Sequence, residues 1–161
     1  MKRLLMMLLM VGAGLGWSAH AIHAQEVKIP YAAPRPAKTL VMLPDGSTVH
    51  VELATTEAEQ EYGLMGRTSL PEGRGMLFVH HDTAKHAYWM YHCKIALDIV
   101  WMDADHRIVE MSPDTPPCRG ASTTCPSYGG HQPSQYVLEL PAGSIKKHNL
   151  AVGETIEFQL G

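Results

Sequence analysis

The residues best equipped for chemistry cluster between His80 and Asp98. Asp98 sits inside the apolar run Ile95-Ala96-Leu97-Asp98-Ile99-Val100-Trp101-Met102. An acid buried there without a partner costs several kcal/mol, so something must answer it. Arg67, just beyond a predicted helix, is the natural choice, because a guanidinium meets a carboxylate through two parallel hydrogen bonds. The pair has two readings. It is an ion pair that locks helix to sheet, or it belongs to a polar pocket floored by Trp89, where Asp98 holds a sugar hydroxyl or a cation. Arg67, Trp89, Met90, His92 and Asp98 form the candidate ligand-binding set.

Other constellations compete with this one. His86, Tyr88, Met90 and His92 share a face if strand alternation holds, with His80, His81 and Cys93 nearby. Imidazole, thioether and thiolate together suit copper. However, alternate residues of one strand stand about 7 Å apart, a stretched bite for a metal. Exposed His and packed Met explain most of these positions, so copper binding is an alternative and no cofactor is assigned. Cys93 and His92 are neighbours that point to opposite faces of a strand, which prevents a local thiolate pair. Asp98 and Glu139 are a possible carboxylate pair for a carbohydrate hydrolase. No G-x-S-x-G elbow, H-E-x-x-H helix or phosphate loop occurs. No catalytic residue is assigned.

Several elements must position these groups. Thr39–Leu43 and Thr48–Ala54 flank the turn Pro44-Asp45-Gly46-Ser47 and predict a hairpin. Thr56 with Glu59 is a capping box, so a helix of two or three turns starts there, with Ala58, Tyr62 and Met65 on its buried face. Met76–His80 and His86–Tyr91 read as strands. Ile95–Met102 and Arg107–Met111 flank Asp103–His106 as a second hairpin. Gln135–Leu140 is a strand, Ala142–His148 a short helix and Glu154–Leu160 a final strand. Short strands with two short helices predict a mainly β domain, a sandwich or partly closed barrel.

Residues 112–134 read as one long loop, rich in Pro and Gly. Such a connection is usually functional or stapled, and a Cys118–Cys125 disulfide is the expected staple. Its Ser, Thr, Tyr128, His131 and Gln132 suit recognition of a glycan or a protein, or simply the covering of a sheet edge. Cys93 is then left over, expected as a buried small hydrophobe.

Lys2 and Arg3 precede an apolar run from Leu4 to Gly16 and small residues up to Ala24. The pattern predicts a signal peptide over 1–24, with Ala21 as the alternative end, and a periplasmic or secreted product. Residues 25–38, with three prolines, read as an extended lead-in, and 39–161 as a single domain. Full-length net charge is −3, and loss of Lys2 and Arg3 makes it −5. An acidic chain without basic clusters argues against nucleic acid and against anionic membrane surfaces. No stable membrane insertion is expected after leader cleavage. A small molecule, a glycan or an envelope protein remains as the partner.

Taken in order, Gly63-Leu64-Met65 with Arg67, Gly75-Met76-Leu77-Phe78, Trp89-Met90, Leu97-Asp98, Pro117-Cys118 and Tyr136-Val137-Leu138-Glu139-Leu140 with Ala142-Gly143 resemble the domain-of-unknown-function 192 (DUF192) family. The likeness covers Val49 to Leu160. It implies a jelly-roll-like β sandwich, often exported, and no established activity. The chain departs from the family at Tyr91, His92, Cys93 and Ala96, where a basic residue, Asn, Thr and Pro are usual. His92 in place of the family Asn changes the chemistry of any shared site.

Overall fold

The computed structural model describes residues 39–160, so the expected signal peptide and lead-in lie outside the described residues. The strands are β1 (Thr39–Met42), β2 (Thr48–Ala54), β3 (Arg74–Ala84), β4 (Ala87–Trp89), β5 (Leu97–Met102), β6 (Ile108–Thr115), β7 (Ser127–Gly129), β8 (Ser134–Pro141) and β9 (Glu157–Phe158). The short helices are α1 (Glu57–Tyr62) and α2 (Ser144–Lys147). A mainly β fold with two short helices is what the patterning predicts.

Seven strands form one sheet in the order β6-β5-β8-β3-β2-β1-β9. Every pairing is antiparallel except β2 with β3, which α1 joins by a crossover. The sheet curls into a half-barrel. Its two edges approach where Arg107 bridges Thr155 and the Ile108 N–H donates to the Glu154 carbonyl at 2.8 Å. The concave face carries a core that includes Val41, Val51, Leu77, Val100, Leu138 and Ile156. The other face carries a second core, with Met76, Phe78, Ile99, Trp101 and Val137, covered by the α1 region and a small β4-β7 sheet. Covering on both faces explains why all six residues of β5 are buried despite its alternation.

Local chemistry sets the ends of these elements. Thr56 and Glu59 make the reciprocal capping box. Gly63, with φ of 46°, stops α1 one residue beyond Tyr62, so Met65 lies outside the helix. The expected strand His86–Tyr91 ends at Trp89, and its partner β7 comes from within the stretch read as loop. Three-residue strands at that spacing lack enough alternation to be seen. Gly129 permits this pairing. A Cβ there would stand 2.3 Å from the Trp101 ring at a φ of 63°. The Cys118–Cys125 disulfide is formed, and Cys93 is a buried free thiol.

Candidate functional site

Cross-strand register decides which acids share a face, because residues directly opposite point the same way. Ile99 pairs with Glu139, Glu139 with Met76, and Met76 with Glu52, so both glutamates lie on the face under the second core. Asp98 pairs with Leu140 and points to the concave face. The expected Arg67–Asp98 pair therefore does not form. Arg67 instead donates through both terminal nitrogens to the two carboxylate oxygens of Glu52, each at 2.6 Å, with both side chains buried. Asp98 is answered by backbone. Its Oδ1 accepts from the Asp114 N–H at 2.7 Å and its Oδ2 from the Ile145 N–H at 2.6 Å. It thus ties the end of β6 to the first turn of α2.

Glu139 has no such settlement. It is 4% exposed, and its Oε2 is buried without a hydrogen-bond partner. Burial pushes its carboxyl up to about 8, against a partial opposing pull from Arg67. It forms the floor of a narrow half-open slot walled by Tyr62, Phe78, Tyr88, Trp89, Tyr91 and Cys93. The cavity is about 20 Å³, room for one water-sized group.

The walls are held from several directions. Tyr88 packs edge-on against Phe78 and Trp101, with centroids 5.0 and 6.0 Å away. Its hydroxyl is hydrogen-bonded to His80 Nε2 at 3.0 Å, and the His80 ring stacks on His86 at 3.6 Å. Burial holds His80 down at about 4 and, with the nearby Glu139, lifts the Tyr88 phenol well above 10. The same two causes push the Cys93 thiol up to about 12, so it is not a nucleophile at neutral pH. The Met90 carbonyl accepts from the amides of both Cys93 and Cys118, and the His92 carbonyl accepts from the Gly66 N–H. These bonds pin the segment carrying Trp89 and Tyr91 beside the slot.

Of the predicted set, Trp89 lines the slot and is 37% exposed, Arg67 is buried on Glu52 and is not part of the lining, and Met90 is fully buried in the second core. His92 is exposed, with φ of 56°, and makes its ring contact with Tyr91. Asp98 belongs to the opposite face. The soft donors do not line up, because β4 ends before Met90. Among the described residues no three His, Cys, Asp or Glu side chains converge to hold a metal. The proposed Asp98–Glu139 hydrolase pair is excluded by the sheet lying between them. Asp45, Ser47 and His148 form a surface trio, but both contacts use the same His148 nitrogen, Nδ1, and Ser47 donates to Asp45. A general base needs its second nitrogen on the serine, so the trio joins a turn to the end of α2 and no more.

The residues that sequence reasoning missed are Glu52 as the true partner of Arg67 and Glu139 as a slot floor. Glu139 carries the same signal as Asp98, an acid within an apolar strand.

A family model for DUF192, described as an uncharacterized ACR, matches residues 40–158. No curated protein is similar enough to count as a match. Among solved structures, the chain is similar to a protein of unknown function from Novosphingobium aromaticivorans DSM 12444, with a TM-score of 0.66 and 27% identity over 78% of this chain and 93% of that one. It is also similar to a candidate transcription regulator from Sinorhizobium meliloti 1021, with a TM-score of 0.67 and 27% identity over 78% and 98% of the two chains.

Proposed function

The chain belongs to the DUF192 family, and from that premise we propose that it is an exported, non-enzymatic module of the cell envelope that binds a small ligand in the slot above Glu139. The unpartnered Glu139 Oε2 carries this reading, since a buried polar atom without a hydrogen bond, on a residue that lines a cleft, is a place where a ligand can complete the bonding. Partly exposed Trp89 and Tyr91 add an aromatic lip at its mouth, with ring centroids 5.2 Å apart. Export is supported by the leader-like residues 1–24 and by a disulfide, which persists in an oxidising compartment. The absence of a poised nucleophile or carboxylate pair among the described residues favours binding over turnover. A direct role in reading nucleic acid, one sense of the Sinorhizobium protein's description, finds no support in a net charge of −3.

The test is a fragment and sugar screen by two-dimensional amide NMR. Hits should shift Tyr62, Gly63, Trp89 and Cys93 together and should weaken at least tenfold in Trp89→Ala. A screen in which no compound moves these residues would overturn the proposal.

A further inference from the structure

Resting on the slot as a ligand site, we propose that its ligand presents a primary ammonium group, on a small alkylamine or a lysine-type side chain, with the Glu139 carboxylate as counter-charge. Four observations converge. Arg67 commits both terminal nitrogens to Glu52, so among the described residues Glu139 has no ion-pair partner of its own. Its Oε2 is buried without a hydrogen-bond partner, and the residue lines the slot. Five aromatic side chains, Tyr62, Phe78, Tyr88, Trp89 and Tyr91, are among its lining, and aromatic rings attract a cation to their electron-rich faces. The cavity, about 20 Å³, takes one water-sized group. An –NH3+ head fits that size, whereas a trimethylammonium head is several times larger. Trp89 and Tyr91 then cover the alkyl stem at the mouth.

Binding exchanges one proton. In the empty protein Glu139 is mostly protonated at neutral pH. When the ammonium enters, the carboxyl gives its proton to solvent, the amine keeps all of its own, and the net charge of the site is unchanged. The titratable and charged groups around Glu139 and the slot are Arg67 with Glu52, Tyr88 with its hydrogen-bonded His80, Tyr91, Cys93, and Tyr62 and Glu61 of α1. Tyr88 and Cys93 are held protonated and His80 neutral between pH 6.5 and 8, so none of these three supplies the exchanged proton. Affinity should therefore rise roughly tenfold from pH 6.5 to 7.5.

The experiment is calorimetry on the full disulfide-intact chain, with amide NMR locating each probe. The probes are n-butylamine, Nα-acetyl-lysine N-methylamide, butyltrimethylammonium, n-butanol and glucose. The proposal expects n-butylamine, the lysine derivative, or both to bind at Trp89. Whichever binds identifies a free amine or a protein side chain as the source. Affinity should gain about tenfold over that pH step, release close to one proton, fall at least tenfold for butyltrimethylammonium, and vanish in Glu139→Gln. Amine binding that ignores pH or survives Glu139→Gln overturns it. If that variant fails to fold, the wild-type pH dependence and proton release decide. If only n-butanol or glucose binds in the slot, the ammonium proposal falls while the binding module stands. If no probe moves Trp89, both fall.

Discussion

Replacing Glu139 with Gln should stabilise the protein above neutral pH and abolish a slope in its stability. The carboxyl has a folded value of about 8 against 4.5 when unfolded. Between those limits the folded state binds more protons than the unfolded state, so stability falls as pH rises. His80 works the other way. Its folded value of about 4 lies below its unfolded 6.5, so the unfolded state binds the extra proton and stability rises with pH until 6.5. The two oppose each other between pH 4.5 and 6.5. Above 6.5 the His80 contribution is complete, and Glu139 acts alone until about 8. Cys93 and Tyr88 enter only at higher pH. At about 1.4 kcal/mol per pH unit, the wild-type protein should lose on the order of 2 kcal/mol from pH 6.5 to 8. Glu139→Gln has nothing to titrate there and should stay flat. Urea unfolding at half-unit pH steps, with the disulfide intact, measures both curves. A flat wild-type curve, or one whose fall persists in Glu139→Gln, would refute the reasoning.

Three further outcomes follow from the same geometry. Arg67→Met strands the buried Glu52 carboxylate and should cost about 3–5 kcal/mol by chemical denaturation, while Arg67→Met with Glu52→Leu should recover most of it. Asp98→Asn keeps one acceptor but turns an N–H donor toward another amide, costing about 1–3 kcal/mol and speeding hydrogen exchange at Asp114 or Ile145. Cys118→Ser with Cys125→Ser opens a short loop, with a sequence separation of 7, and should lower stability by about 2.5 kcal/mol on the chain-entropy account, seen as a lower urea midpoint.

The β character, the two short helices, the capping box at Thr56 and Glu59, and the Cys118–Cys125 bridge are all readable in the sequence because each is a local signal. Alternation marks strands, and a fixed three-residue offset marks the cap. The partner of Arg67 was not readable. Asp98 is the acid expected to meet Arg67, yet Glu139 and Glu52 also sit in apolar strands, and no local signal separates the three before register assigns them to faces. Register depends on how β5, β8, β3 and β2 line up, and residues far apart in the chain set that alignment. The Trp89–Cys93 segment hid for a similar reason. It follows strand periodicity as far as Trp89, then turns at His92 under the hold of Gly66 and Cys118, two contacts that no local pattern announces.

The three acids also differ in what their surroundings achieve. Glu52 has both oxygens on Arg67, and Asp98 has both on backbone amides, so each is settled by the fold itself. Either arrangement is accounted for by structure alone. Glu139 is as deeply placed as Glu52, yet its Oε2 meets nothing and burial disfavours its charged form. A Leu or Met there would fill the same row beside Met76 and Ile99 without desolvating an acid, and replacing buried charge with packed apolar atoms is often neutral or stabilising. Stability therefore gives no reason for an acid at this position. Aromatic rings gathered around a slot that opens above it do, because the missing hydrogen bond is then one that a ligand completes.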